Sequence, residues 1–278
     1  MDAQAWLLEH GPAVDAVLER WLPPLDAAPA DLHGAMRHLV FPGGKRFRPG
    51  LVLAAAEAVG GPLQSALPMA AAVELIHVYS LIHDDLPCMD DDEERRGRPT
   101  VHVLWGEATA VLAGDALQSL AFEGLLMDTD PGRSGRAARD LARAIGPAGL
   151  VGGQVDDLRQ GENPGDEAFV LSIHERKTAA LIQACVSGGA RLASASEDQL
   201  AVLGAFGLEV GVAFQIADDG LDADEDESGC SLVSLLGREA CLERAEALLE
   251  SALSRIEGMG ERAEPLRALA RFAVRRKA

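Results

Sequence analysis

Leu75-Ile76-His77-Val78-Tyr79-Ser80-Leu81-Ile82-His83-Asp84-Asp85-Leu86-Pro87-Cys88-Met89-Asp90-Asp91-Asp92 is the stretch on which the reading of the chain turns. An apolar run ends abruptly in five aspartates within nine positions. Proline suits a first helical turn, so a helix is expected to begin near Pro68. Pro87 lacks an N–H and pushes Leu86 out of the α region, so that helix is expected to stop or bulge there. The carboxylates therefore collect where a buried helix emerges. Charges of one sign at this density need water, Arg or Lys, or a metal ion beside them. Carboxylate oxygens are ligands of Mg²⁺, which in turn binds substrate phosphates. Taken alone, such a run reads as a solvated acidic loop. A second site of the same kind changes that reading.

The second site is Phe214-Gln215-Ile216-Ala217-Asp218-Asp219-Gly220-Leu221-Asp222, which closes an apolar run from Leu200. Asp218 and Asp222 are four apart and share one helix face. A carboxylate at a helix C-terminus sits at the unfavourable end of the macrodipole. Two such ends make sense if both face a shared cluster of cations.

Cations for an anionic ligand are present. Phe41-Pro42-Gly43-Gly44-Lys45-Arg46-Phe47-Arg48-Pro49 is a Gly-Gly turn opening onto three basic residues before a helix expected over 50–59. Free N–H groups with Lys and Arg beside them suit an anion, although the segment also reads as an ordinary basic loop. Glu93-Glu94-Arg95-Arg96-Gly97-Arg98-Pro99 places Arg95 and Arg96 just after Asp90, to grip a diphosphate or to form a surface ion-pair network. Lys177, three residues beyond His174, enters an apolar run and reads first as a lysine that snorkels to the surface. Gly152-Gly153-Gln154-Val155-Asp156-Asp157 adds a further acidic pair.

The rest of the chain favours helices. It has 278 residues, 48% of them apolar, a single tyrosine and little strand-like alternation. Helices are expected over 31–40, 107–127, 137–145, 150–159, from an Asp166 cap to about 192, and over 200–222, 231–257 and 261–277. A first amphipathic segment is expected to be interrupted at Pro12 and ended by Pro23-Pro24. Residues 128–135, 161–165 and 222–228 read as loops. No shift in composition divides the chain, so residues 1–278 read as one all-α domain of roughly ten or more helices packed as a bundle. A net charge of −19 argues against a nucleic-acid partner. No unbroken uncharged apolar run of 18 residues suggests a transmembrane segment, and no secretory signal is visible. Cys88, Cys185, Cys230 and Cys241 lack metal-type spacing and read as reduced thiols in a cytoplasm.

In order along nearly the whole chain, Gly43 to Pro49, Asp84 to Asp90, Arg95-Arg96-Gly97-Arg98-Pro99-Thr100, Gly114-Asp115-Ala116-Leu117, Gly152-Gly153-Gln154, Lys177-Thr178, Phe214-Gln215 and Asp218 to Asp222 resemble the trans-type polyprenyl diphosphate synthases, most of all bacterial farnesyl diphosphate synthases (geranyltranstransferases). The resemblance implies a helical bundle around a central apolar cavity, of the isoprenoid synthase type. It implies a Mg²⁺-dependent prenyltransferase, with three Mg²⁺ per site, joining isopentenyl diphosphate to dimethylallyl or geranyl diphosphate. By motif position, Asp84 and Asp90 hold metal from one side and Asp218 from the other, with Asp85, Asp219 and Asp222 in support. Gly44, Lys45, Arg48, His77 and Arg96 match the isopentenyl diphosphate site; Arg95, Lys177, Thr178 and Gln215 match the allylic one. Tyr79 and Ser80, five and four residues before Asp84, would sit a turn deeper in the pocket, where a bulky Tyr79 closes the tunnel at a C15 product. Members of the family usually form homodimers. The chain departs from the pattern after Asp222: the loop is shorter, and Cys230 stands where a lysine would contact the allylic diphosphate. A C20 (geranylgeranyl) product, or a non-catalytic partner subunit of an active synthase, is the alternative.

Overall fold

The computed structural model describes residues 1–127, 130–160, 166–222 and 232–275, the side chains of Gln160 and Asp222 excepted. Along the chain the helices are α1 (Ala3–Trp21), α2 (Ala30–His38), α3 (Phe47–Ala58), α4 (Leu63–Asp84), α5 (Val101–Trp105), α6 (Glu107–Met127), α7 (Pro131–Ile145), α8 (Leu150–Gln160), α9 (Glu167–Ile173), a π-helical segment (His174–Ala179), α10 (Ala180–Leu192), α11 (Glu197–Asp222), α12 (Leu232–Leu236), α13 (Arg238–Arg255) and α14 (Glu264–Val274). The expected all-helical bundle is what forms. Its one departure among the described residues is a two-stranded hairpin, β1 (Glu94–Arg95) and β2 (Arg98–Pro99), closed by Arg96 and Gly97 at positive φ.

α4 is the axis of the bundle. It is apolar on every face, and α6, α3, α10 and α1 pack around it. A helix apolar all round is stable only inside a protein. α11 is its counterpart, packed against α10, α13 and the π-helical segment. The buried side chains form one cluster that runs from α1 to α14. By length and composition alone, α4, α6 and residues Glu197–Leu221 could each cross a membrane, although charged residues interrupt each apolar run. Here 78% of the apolar window in α4 and 61% of that in α11 are buried inside the protein, against 39% in α6.

Prolines mislead at two helices. α1 runs unbroken through Pro12, because the carbonyl that loses its partner belongs to Leu8, 78% exposed and open to water. α4 begins at Leu63 rather than Pro68; the unpaired carbonyl there is that of exposed Gln64 in the first turn. Residues 131–135, expected as loop, are the start of α7, capped by the Asp130 carboxylate on the N–H groups of Gly132 and Arg133. Gly237, at φ 82, divides the expected 231–257 helix into α12 and α13. The Asp166 cap forms as expected, accepting from the Phe169 N–H at 3.0 Å.

Glycine sets the closest helix contact. A Cβ on Gly189 of α10 would lie 2.1 Å from the Val52 carbonyl oxygen of α3, so the two backbones touch. Gly189→Ala is expected to lower stability by roughly 1–3 kcal/mol as the helices are forced apart. A thermal melt checks this; an unchanged midpoint would contradict so close a crossing.

Candidate active site

The first aspartate cluster is shaped by the turn after α4. Pro87 forces the chain to fold back, with Met89 and Asp91 N–H groups donating to the Leu86 carbonyl at 2.8 and 3.1 Å. The Asp90 N–H then donates to the Asp84 carbonyl at 2.8 Å, which sets two aspartates six residues apart side by side. Burial pushes the Asp84 carboxyl up to about 6; Lys177 pulls against this and Asp90 adds to it. Asp90 is also raised, first by burial, and again Lys177 opposes the shift. Lys177 therefore faces both carboxylates. Asp85 points elsewhere. It is buried, and its Oδ1 accepts from Arg95 Nε at 2.7 Å, while Arg95 Nη2 reaches Asp92 at 2.5 Å. Asp85 thus holds Arg95 in place at the edge of the cluster.

Lys177 owes its position to a bulge. The expected 166–192 rod forms as α9, the π-helical segment and α10, and the widened turn falls on His174–Ala179. Such bulges are frequent at functional sites. α8 presses close here: a Cβ on Gly153 would lie 2.5 Å from the Lys177 backbone nitrogen. Asp157 of α8 pairs with Lys177 Nζ at 2.6 Å, and Asp156 with Arg176 at 2.6 Å. Lys177 is consequently not a lysine reaching out to bulk solvent; it stands between α8 and the Asp84–Asp90 turn.

The same segment meets the second aspartate cluster. Thr178 Oγ1 donates to Gln215 Oε1 at 2.8 Å, and Gln215 Nε2 donates to Asp219 Oδ1 at 3.3 Å. Asp218 precedes Asp219 at the end of α11. Both aspartate-bearing helix ends thus border one π-helical turn. The side chain of Asp222 lies outside the described residues. Among the described residues, no group of three or more His, Cys, Asp or Glu is placed to hold a metal ion by itself.

A second set of cations lies on the other side of Arg95. A Cβ on Gly44 would stand 3.0 Å from Arg96 Nη2, so the Gly-Gly turn and the hairpin meet. Arg48 Nη1 donates to His77 Nε2 at 3.4 Å. Burial holds His77 well below its ordinary value, and Arg48, Arg96 and Arg95 lower it further, so the ring is neutral and accepts. The Arg48 Nε is buried without a protein partner. Lys45 Nζ lies 5.5 Å from the ring centre of Phe272, whose other neighbour Phe47 stacks on Phe214 at 6.1 Å. Of the three basic residues the sequence suggested here, Arg48 meets His77 and Lys45 lies over Phe272. Arg46 turns inward to Glu74 at 2.6 Å, Asp15 at 2.8 Å and the Val40 carbonyl at 2.7 Å.

Over residues 29–231 the chain matches the family model described as polyprenyl synthetase. The chain belongs to the polyprenyl synthetase family. It is 42% identical over 268 residues to geranylgeranyl pyrophosphate synthase 7, chloroplastic, of Arabidopsis thaliana, covering 90% of this chain and 77% of that protein. It is 39% identical over 288 residues to a dimethylallyltranstransferase of Fischerella ambigua, covering 98% and 83%. Among solved structures, the apo form of an FPP/GFPP synthase from Zymomonas mobilis superposes with a TM-score of 0.92 at 40% identity, covering 98% of this chain and 99% of that one. Polyprenyl synthetases of this kind are short-chain prenyltransferases that use isopentenyl and allylic diphosphates.

Three details of this polyprenyl synthetase bear on its site. Tyr79 is buried on α4, its ring edge-on to His83 at 5.7 Å and its hydroxyl beside Gln118. Ser80 Oγ donates to the His77 carbonyl at 2.9 Å, a bond within α4. Residues 223–231, with Gly229, Cys230 and the shortened loop, lie outside the described residues, as do Arg276 and Lys277. Arg275 pairs with Glu246 and, at 2.7 Å, with Glu250 on α13. Sequence reasoning gave His174 no role and read Asp157 only as one of a further acidic pair. Their signal was the Gly-Gly-Gln-x-Asp-Asp run of α8 and a histidine three residues before the lysine.

Proposed function

We propose that this polyprenyl synthetase condenses isopentenyl diphosphate with dimethylallyl or geranyl diphosphate, depends on Mg²⁺, and releases farnesyl diphosphate (C15) as its main product. The observation that carries the reading is the position of Lys177 and Thr178 between the two aspartate-bearing helix ends, with a separate cation set a few residues away. Two anionic substrates need two such sets.

In this reading Arg95, Lys177, Thr178 and Gln215 bind the allylic diphosphate, and Gly44, Lys45, Arg48, His77 and Arg96 bind isopentenyl diphosphate. Arg48, with an unpaired Nε, has a donor ready for a phosphate oxygen. The neutral His77 adds an uncharged partner among arginines and does not compete for the anion. The crowded carboxyls of half-buried Asp84 and exposed Asp90 suit a hard divalent cation. Asp84, Asp90 and Asp218 would hold Mg²⁺, whose charge, when bound, stabilises the departing diphosphate. The allylic carbon–oxygen bond breaks, the isopentenyl double bond attacks the allylic carbon, and the adduct gives a proton to the departing diphosphate. Asp85 acts through Arg95, and Asp219 through Gln215.

A homodimer in a cytoplasm belongs to the same proposal. Val103 and Leu104 of α5 and Val111 and Leu112 of α6 are large apolar side chains left exposed, a surface suited to a second copy. Cys88, Cys185 and Cys241 are free thiols, as suits a reducing compartment.

Tyr79 carries the C15 assignment. The names of relatives, among them geranylgeranyl and geranylfarnesyl synthases, favour a longer product instead. Purified chain with labelled isopentenyl diphosphate, each allylic diphosphate and Mg²⁺ tests both. Mainly C15 product is expected from the wild type, with products of C20 or longer from Tyr79→Ala. Unchanged product length in that variant would remove Tyr79 from the floor of the tunnel, and a wild type that makes no product would refute the activity.

A further inference from the structure

We infer that His174 is a positioning residue, which through Asp219 fixes the register between the π-helical segment that carries Lys177 and the end of α11 that carries Asp218. The inference rests on the prenyl-transfer reading above.

The geometry is a closed circuit. His174 and Thr178 are four apart on one segment; Gln215 and Asp219 are four apart on α11. His174 Nε2 lies 3.2 Å from Asp219 Oδ2, and Thr178 Oγ1 lies 2.8 Å from Gln215 Oε1. Gln215 Nε2 closes the ring on Asp219 Oδ1 at 3.3 Å. The two links run antiparallel, so together they fix both the distance and the rotation of one helix against the other. Lys177 and Asp218 each lie one residue before a linked residue, and their backbones are fixed with it.

His174 is placed for this task. It is buried, opens the widened turn, and among the described residues its Nδ1 has no partner, so the side chain's polar tie there is the link to Asp219. A π-turn is held less firmly by its own backbone than an α-turn, so an outside tie matters more there. The Leu232 N–H also donates to Asp219 Oδ2 at 3.3 Å, which anchors the start of α12 to the same carboxylate. Both oxygens of Asp219 are therefore engaged by protein donors.

The test compares wild type, His174→Leu and His174→Gln in the full chain. Gln can present an Nε2 donor to Asp219; Leu fills the space and presents none. Loss of one hydrogen bond to a charged group predicts about a tenfold rise in KM for geranyl diphosphate in His174→Leu. The half-saturating Mg²⁺ concentration is expected to rise with it, while KM for isopentenyl diphosphate stays put. His174→Gln is expected to recover most of the loss. Equal KM values in wild type and His174→Leu would overturn the inference, as would equal damage to both substrates or a Gln variant no better than Leu. Should His174→Leu fail to fold, His174→Asn, too short to reach Asp219, takes its place in the same comparison. Wild type without turnover would sink the prenyl-transfer reading instead. The tie is then judged by amide exchange over residues 174–179, which a real tie slows and its removal speeds about tenfold. Exchange unchanged by the substitution would overturn it.

Discussion

Alanine at Asp84, or at Asp218, is expected to reduce kcat for condensation by roughly a thousandfold, the scale of losing one charge-stabilising group in a closed site. Ionising an allylic diphosphate places extra negative charge on the leaving group, and the protein's own cations oppose that charge only in part. In the proposed site the remainder comes from divalent ions held between the two helix ends, so either carboxylate is indispensable. The double variant should be little worse than either single one, because groups that act as a unit are not additive. Asp31→Ala, on the exposed face of α2, should leave kcat unchanged. Steady-state kinetics with labelled isopentenyl diphosphate measure all four. If Asp218→Ala kept the wild-type rate, the second aspartate end would have no part in the chemistry.

Glu74→Leu is expected to destabilise the protein by about 3–5 kcal/mol, because it removes the buried counter-charge of the Arg46 guanidinium and leaves it only half-exposed Asp15. The Arg46 and Glu74 side chains are 5% and 3% exposed and 2.6 Å apart. Arg46 also sits at φ 52, a left-handed conformation a non-glycine residue adopts only when its surroundings hold it there. Its guanidinium lies beneath Gly43, where a Cβ would be 2.4 Å away. The ion pair thus holds the turn that presents Lys45 and Arg48. Pairing Glu74→Leu with Arg46→Met should recover stability, since an apolar pair replaces a buried ionic one at little loss. Asp15→Ala, removing a partner that is 41% exposed, should cost about 1 kcal/mol or less. Chemical denaturation of the three variants and the wild type checks the ranking. Equal stability of Glu74→Leu and wild type would mean that the pair contributes nothing net.

Much of this was legible in residue order. Alternating charge and apolar runs gave the helices, and the aspartates at two helix ends gave the site. Local rules failed where packing decided. Pro12 looked like a break and Pro68 like a helix start, but the carbonyls they leave unpaired belong to exposed Leu8 and Gln64. Arg46 could not be told from Lys45 or Arg48, because its fate depends on Glu74, 28 residues away. Lys177 read as a surface lysine because the bulge that turns it toward Asp84 depends on the approach of Gly153, which no periodicity encodes. The ties of Asp219 to His174, Gln215 and Leu232 depend on residues 45, 4 and 13 positions away and on how α11 packs, which residue order alone does not show.

The most direct measurement is anomalous diffraction from crystals of the full chain soaked with Mn²⁺ and inorganic diphosphate. Metal peaks should touch Asp84 and Asp90 on one side and Asp218 on the other, bridged by a single diphosphate next to Lys177. Ions found at only one of the two helix ends, or at both with no diphosphate in common, would contradict a shared site.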